Sequence, residues 1–149
     1  MRIQFCSDLH LEFEENKRFI RENPLIPSGE ILVLGGDICL FKTMDRHRDF
    51  FRYLSEHFEA IYWIPGNHEY YYAGYTDRWN SFCESIFDNV FLLNNKTVVY
   101  NNTRLIFATL WSHINPRKRW EMESKVNDFR LIEYFNNRLS VPGFNQLHA

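Results

Sequence analysis

The sequence predicts an α/β fold built on a parallel sheet, and three observations carry that prediction. Residues 3–6, 31–34 and 60–64 are short apolar runs with the length of strands. Residues 45–58, between the second and third runs, carry apolar side chains at helical spacing, which makes a βαβ unit. Each run stops abruptly and is followed by glycine, proline or a cluster of polar residues. Right-handed crossovers make such strands parallel, so their carboxyl ends share one edge, where open α/β sheets bind ligands.

The elements follow in order. Residues 1–6 enter a strand directly. Residues 7–17 are polar and acidic and read as a loop carrying Asp8 and His10. Asn23-Pro24 and Pro27-Ser28-Gly29 punctuate the next stretch. Residues 31–34, Ile-Leu-Val-Leu, have the unbroken apolar character of a strand buried on both faces. Gly35-Gly36 then lets the chain turn sharply before Asp37. In residues 45–58, Phe50, Phe51, Leu54 and Phe58 share one helical face, opposite Arg46, Arg48, Arg52 and Glu56. His47 and His57 read as surface residues of that helix.

A second helix is predicted over 76–87, with Thr76 as N-cap and Trp79, Phe82, Cys83, Ile86 and Phe87 as its apolar face. Residues 90–93 read as a strand, and 97–100 with 104–110 as a hairpin turning at Asn101-Asn102. Residues 120–139 give a long helical pattern through Met122, Val126, Phe129, Ile132 and Phe135, ended by Pro142-Gly143. No repeat, low-complexity tract or linker divides the chain, so residues 1–149 read as a single domain.

Composition narrows the function. The 149 residues suffice for a real core, and 45% are hydrophobic. Aromatic residues make up 17%, which implies a large aromatic core or apolar surface awaiting a partner. A net charge of -2 gives no general electrostatic signal for nucleic acid or an acidic membrane. No apolar run approaches a membrane span, and the N-terminus lacks a leader pattern. Cys6, Cys39 and Cys83 are odd in number and unpaired in spacing, as in reduced buried thiols, so a cytoplasmic location is expected. The Asn95 and Asn101 sequons read as turn chemistry.

The polar clusters beyond the three strands carry the chemistry. Asp8, His10 and Asp37 are two carboxylates and an imidazole, a set suited to Mn, Fe or Zn rather than Ca. Asp8 and His10 leave one loop two residues apart. Asp37 can bridge two metals, one oxygen to each. Asn67 offers an amide oxygen beside that bridge, and His68 is placed to act as an acid without binding metal. Singly these pieces are common; their conjunction, in order and each behind a strand, points to a metal site.

Asp8-Leu9-His10, Gly36-Asp37 and Gly66-Asn67-His68-Glu69 resemble the first three motifs of the calcineurin-like metallophosphoesterases. The stretches Ser7-Asp8-Leu9-His10-Leu11-Glu12-Phe13 and Asn67-His68-Glu69-Tyr70-Tyr71 resemble a bacterial branch of uncharacterised phosphoesterases. The resemblance implies the N-terminal half of a four-layer α/β/β/α sandwich. It implies Asp8, His10 and Asp37 on one metal, Asp37 and Asn67 on a second, and His68 as the group that protonates the leaving oxygen or steadies the phosphate. It also implies hydrolysis of a phosphomonoester or phosphodiester by a hydroxide bridging the two metals.

The family pattern continues with a later histidine and a Gly-His-x-His, and this sequence has no Gly-His-x-His. Past His68 only His113 and His148 remain. His113 follows an apolar strand and could reach the site edge, although a surface position fits it better. The domain therefore reads as truncated before its C-terminal histidine motifs. At most one metal should be tightly held, activity should be impaired, and an uncovered sheet face should favour oligomers. The alternative is a non-catalytic scaffold or binding protein of the same fold. Tyr70-Tyr71-Tyr72 and Tyr75 read mainly as packing, Arg117-Lys118-Arg119 as a solvated charge run, and Cys39 as a packed thiol.

Overall fold

The structure is a computed structural model that describes residues 1–73, 77–134 and 137–147, with the side chains of Asp77 and Leu147 left aside. Five strands form the central sheet: β1 Ile3–Cys6, β2 Ile31–Leu34, β3 Ala60–Trp63, β4 Phe82–Phe87 and β5 Val90–Asn94. Their order is β1-β2-β3-β5-β4. The first three and β5 are parallel, and β4 closes the edge antiparallel to β5. The expected α/β class and the shared carboxyl edge of the first three strands are therefore present.

Helix α1, Glu14–Glu22, fills the connection between β1 and β2 and begins inside residues 7–17, where the sequence predicts a loop. Helix α2, Arg48–His57, crosses between β2 and β3 after a 3₁₀ segment, Phe41–His47. Its apolar face is as expected: Phe51, Leu54 and the following Phe58 are buried against Trp63 and Leu34 in the main core. Full burial of such side chains stabilises the fold by roughly 1.5–3 kcal/mol each. Phe51 stacks on Trp63 with ring centroids 5.0 Å apart, which holds the helix directly behind β3.

The opposite sheet face is covered differently. Strands β6, Lys96–Tyr100, and β7, Thr103–Phe107, form the expected hairpin, with Asn101 at positive φ in its turn. The hairpin lays Val98, Leu105 and Phe107 over Ile31, Ala60, Tyr62 and Leu93. Coverage stops short of β1. In register across the sheet run Phe5, Val33, Tyr62 and Phe91. Tyr62 is buried under Phe107, while Phe5 is 81% exposed.

Two predicted helices are corrected. Residues 82–87 are strand β4, preceded by a 3₁₀ turn at Asp77–Trp79; Thr76 lies outside the described residues. Phe82 and Ile86 are four apart, which suits a helix and a strand alike. Alternation decides: both lean inward while Cys83 and Ser85 are exposed, and Asp88-Asn89 turns the chain into β5. The long pattern over 120–139 divides into α3, Arg119–Lys125, and α4, Asp128–Leu131. A two-residue ribbon follows, β8 Glu133–Tyr134 with β9 Asn137–Arg138, and Phe135 lies outside the described residues. The end of α4 is set from outside. Tyr72 N–H donates to Leu131 O, and Tyr71 bridges Ile132, so this segment docks onto the chain just past His68. Pro142-Gly143 sits in the first turn of α5, Val141–Leu147, where a missing N–H does no harm.

Candidate metal centre

The site forms because pairing continues past the ends of β1 and β2. Asp8 N–H donates to Gly36 O, His10 N–H to Asp37 O, and Leu11 N–H to Ile38 O, at 3.0, 2.9 and 2.8 Å. The two loops therefore run side by side, and Asp8 and His10 face Asp37. Ligand atoms of these three side chains lie within 4.8 Å of one another. All three residues have positive φ: 58° for Asp8, 46° for His10 and 55° for Asp37. Outside glycine that region is uncommon, although Asp and His adopt it more readily than most residues, and such backbone collects at functional sites.

The third loop is brought in by glycine. A Cβ on Gly36, whose φ is 95°, would lie 2.8 Å from Gly66 N, and one on Gly66 would lie 2.9 Å from Asp37 N. The loops after β2 and β3 touch backbone to backbone, which only glycine permits. His68 N–H then donates to Asp37 Oδ1 at 3.0 Å.

Glu69 locks this contact. It is fully buried and accepts four N–H groups: Ile38 N and Trp63 Nε1 on Oε1, and Asp37 N and Gly66 N on Oε2, at 2.8–3.0 Å. Burial pushes its carboxyl up to about 7 against the opposing pull of these donors.

Asn67 is oriented from a distance. Its Nδ2 donates to Tyr71 Oη at 3.0 Å and to Asp128 Oδ1 at 2.8 Å. Both amide protons are thereby spent, and neither bond uses Oδ1, the atom a metal would take. Tyr71 Oη also donates to Asp128 at 2.6 Å, and burial together with that carboxylate holds its phenol well above the usual range. The Tyr71 ring stacks on His68 with centroids 4.3 Å apart. His68 is half-buried and meets His10 edge to face at 4.4 Å.

All five sequence-predicted residues thus belong to one constellation: Asp8, His10 and Asp37 as a trio of donors, with Asn67 and His68 on the adjoining loop. The donor set fits a divalent metal of the Mn, Fe or Zn kind. His113 is exposed and His148 lies outside the described residues. Cys39 is fully buried, and burial pushes its thiol far up, as expected of a packed cysteine. His47 is a correction: it is 6% exposed, because the 3₁₀ segment turns it into the cleft between α1 and α2 rather than out from a helix surface. Of the tyrosines, Tyr70 is core, stacked on Trp79, whereas Tyr71 is a wall of the site. Tyr75 lies outside the described residues.

Sequence reasoning missed Glu12, Glu69, Tyr71 and Asp128 as parts of the site. Glu69 sat inside the quoted motif, and Glu12 continues the alternate spacing of Asp8 and His10. Asp128 gave no signal, because it lies 61 residues from Asn67 on a segment with an apparently regular helical pattern.

Comparisons with known proteins bear on the family and the fold. A family model described as calcineurin-like phosphoesterase matches residues 1–141. An uncharacterized protein, L509, of Acanthamoeba polyphaga mimivirus is 30% identical over 158 residues, covering 92% of this chain and 54% of that protein. Among solved structures, the phosphopantetheinyl hydrolase PptH of Mycobacterium tuberculosis superposes with a TM-score of 0.60 at 16% identity, over 98% of this chain and 60% of that one. At that identity the likeness speaks for the fold alone. The chain spans about half the length of the curated relative it matches. With the family model covering nearly all of it, the chain belongs to the calcineurin-like phosphoesterase family.

Proposed function

We propose that this chain carries the metal-binding side of a phosphoesterase that hydrolyses a phosphomonoester or phosphodiester by a two-metal mechanism. The observation that supports it most is the convergence of Asp8, His10 and Asp37, all at positive φ, at the carboxyl edge of the sheet. Asp8, His10 and Asp37 would hold one metal, and Asp37 with Asn67 would contribute to a second. Such ions supply an activated water and neutralise phosphate charge during in-line attack. The chain's own residues do the rest. Asp37 would contribute to both positions, and its Oδ1 accepts the His68 N–H. Asn67 is turned by Asp128 and Tyr71 to offer oxygen. His68 protonates the leaving oxygen, its ring clamped between Tyr71 and His10.

The second position counts only Asp37 and Asn67 among the described residues, too few for a stable site. We therefore propose that these residues by themselves hold one metal tightly and support weak turnover. The free cysteines support a reducing, cytoplasmic location. Among the described residues no helix is long and apolar enough to cross a membrane. The exposed Ile3 and Phe5 on one sheet face support association through that face.

The test is hydrolysis of an aryl phosphate and its diester with Mn, Fe and Zn, alongside a His68→Ala variant. Removal of a general acid should lower turnover by about 10²–10⁴-fold while bound metal stays the same. Unchanged turnover would remove His68 from that role.

A further inference from the structure

Glu12 stands between the two histidines of the centre. Its Oε1 lies 3.1 Å from His10 Nδ1 and also 3.1 Å from His68 Nδ1. The side chain is only 10% exposed. Among the described residues its other oxygen, Oε2, is buried without a hydrogen-bond partner. A buried carboxylate oxygen left unpaired is a cost to the fold, and an apolar residue there would avoid it. Such local disadvantages collect where function requires them.

The bonding logic is restrictive. A carboxylate oxygen accepts, so each imidazole must present an N–H at Nδ1 to satisfy it. With Nδ1 of both rings committed, only their Nε2 atoms remain for chemistry. His10 then keeps the Nε2 lone pair as its one free donor for a metal. His68, with Nδ1–H held, can exchange a proton only at Nε2. A carboxylate that receives the second N–H of a metal-binding histidine fixes its tautomer and ring angle. Here one oxygen does this for two rings of different role.

We propose that Glu12 is a positioning residue that sets the tautomers of His10 and His68 together, coupling the metal ligand to the acid through one shared oxygen. This rests on the metal-centre reading given above. Asn16 supports the arrangement, because its Nδ2 donates to Leu9 O and His10 O and fastens the loop that carries Glu12.

The test is ¹⁵N NMR of the imidazoles in the metal-free chain at about pH 8.5, where an ordinary histidine is neutral. The parent should show Nδ1–H on both His10 and His68, identified by His→Gln substitution at each. Glu12→Leu should release both rings from that form. Glu12→Asp, still charged but one methylene shorter, should hold at most one ring and serves if Glu12→Leu does not fold. Divalent metal affinity, measured with Mn²⁺ alone, should fall by roughly 10–100-fold in Glu12→Leu. Retention of Nδ1–H on both rings in the folded variants overturns the proposal. So does loss of all Mn²⁺ binding with both tautomers unchanged, which would make Glu12 a metal ligand instead. A parent chain that shows both tautomers yet binds no Mn²⁺ would refute the metal-centre reading and leave the coupling standing.

Discussion

Replacing Glu69 should be the most damaging single change to this domain that leaves every proposed metal ligand in the sequence. Four N–H groups, from Asp37, Ile38, Gly66 and Trp63, converge on its two oxygens, and the residue is fully buried. In Glu69→Gln one oxygen becomes an NH₂ group. Whichever way the amide lies, two donors then face a donor. A buried group left unsatisfied costs about 1–3 kcal/mol, so a loss of about 3 kcal/mol is expected. Glu69→Ala orphans all four donors and opens a cavity, and should cost about 5 kcal/mol or more, close to the whole stability of many domains. Urea unfolding at about pH 8, above the value near 7 to which burial pushes this carboxyl, measures the ionised form. With a slope of about 1.5 kcal/mol per molar, the Gln variant should unfold roughly 2 M earlier. A drop below about 0.5 kcal/mol would mean that water replaces the lost bonds and that Glu69 does not hold the loops together.

Three further changes have defined outcomes. Gly66→Ala would set a Cβ against Asp37 N and its carboxylate, so it should lose about 2 kcal/mol and no longer be stabilised by added Mn²⁺ in a thermal melt; a melt with the parent's metal response would count against the packed-loop account. His47 is depressed below its ordinary 6.5, mainly by burial and then by Lys17 and Arg46. The unfolded chain takes up that proton first, so His47's contribution is complete above about 6.5 and is lost as pH falls from there through the folded value. The urea midpoint should therefore fall less steeply between pH 7 and 5 in His47→Leu than in the parent, and equal slopes would sink the assignment. Phe5→Ser removes the most exposed apolar side chain of the uncovered sheet face, and should weaken self-association in sedimentation velocity without lowering the melting temperature; identical association would direct the search to another surface.

The parts of the site that were legible in the sequence are those set by strand ends. An apolar run followed by Gly-Asp or Gly-Asn-His announces a strand, a turn and a ligand in one short stretch, and parallel pairing then brings Asp8, His10, Asp37, Asn67 and His68 together. The parts that were not legible depend on tertiary contact. Asp128 reaches Asn67 from the first residue of α4, a short separate helix whose far end, Leu131 and Ile132, docks on Tyr72 and Tyr71. Helical spacing through Val126 and Phe129 hid it. Phe82 and Ile86 misled for a related reason, since a four-residue interval serves either period and only pairing with β5 decides between them. Helical spacing alone puts His47 on the surface, but the 3₁₀ turn before Arg48 rotates it inward.

The central claim is that Asp8, His10 and Asp37 form a divalent-metal site in this chain. Calorimetric titration with Mn²⁺ tests it most directly, on the parent and on Asp37→Asn and His10→Ala variants shown to be folded by circular dichroism. One tight Mn²⁺ per parent chain, lost in both variants, is the expected result. No binding by the parent, or binding of the same strength and stoichiometry in both variants, would contradict it.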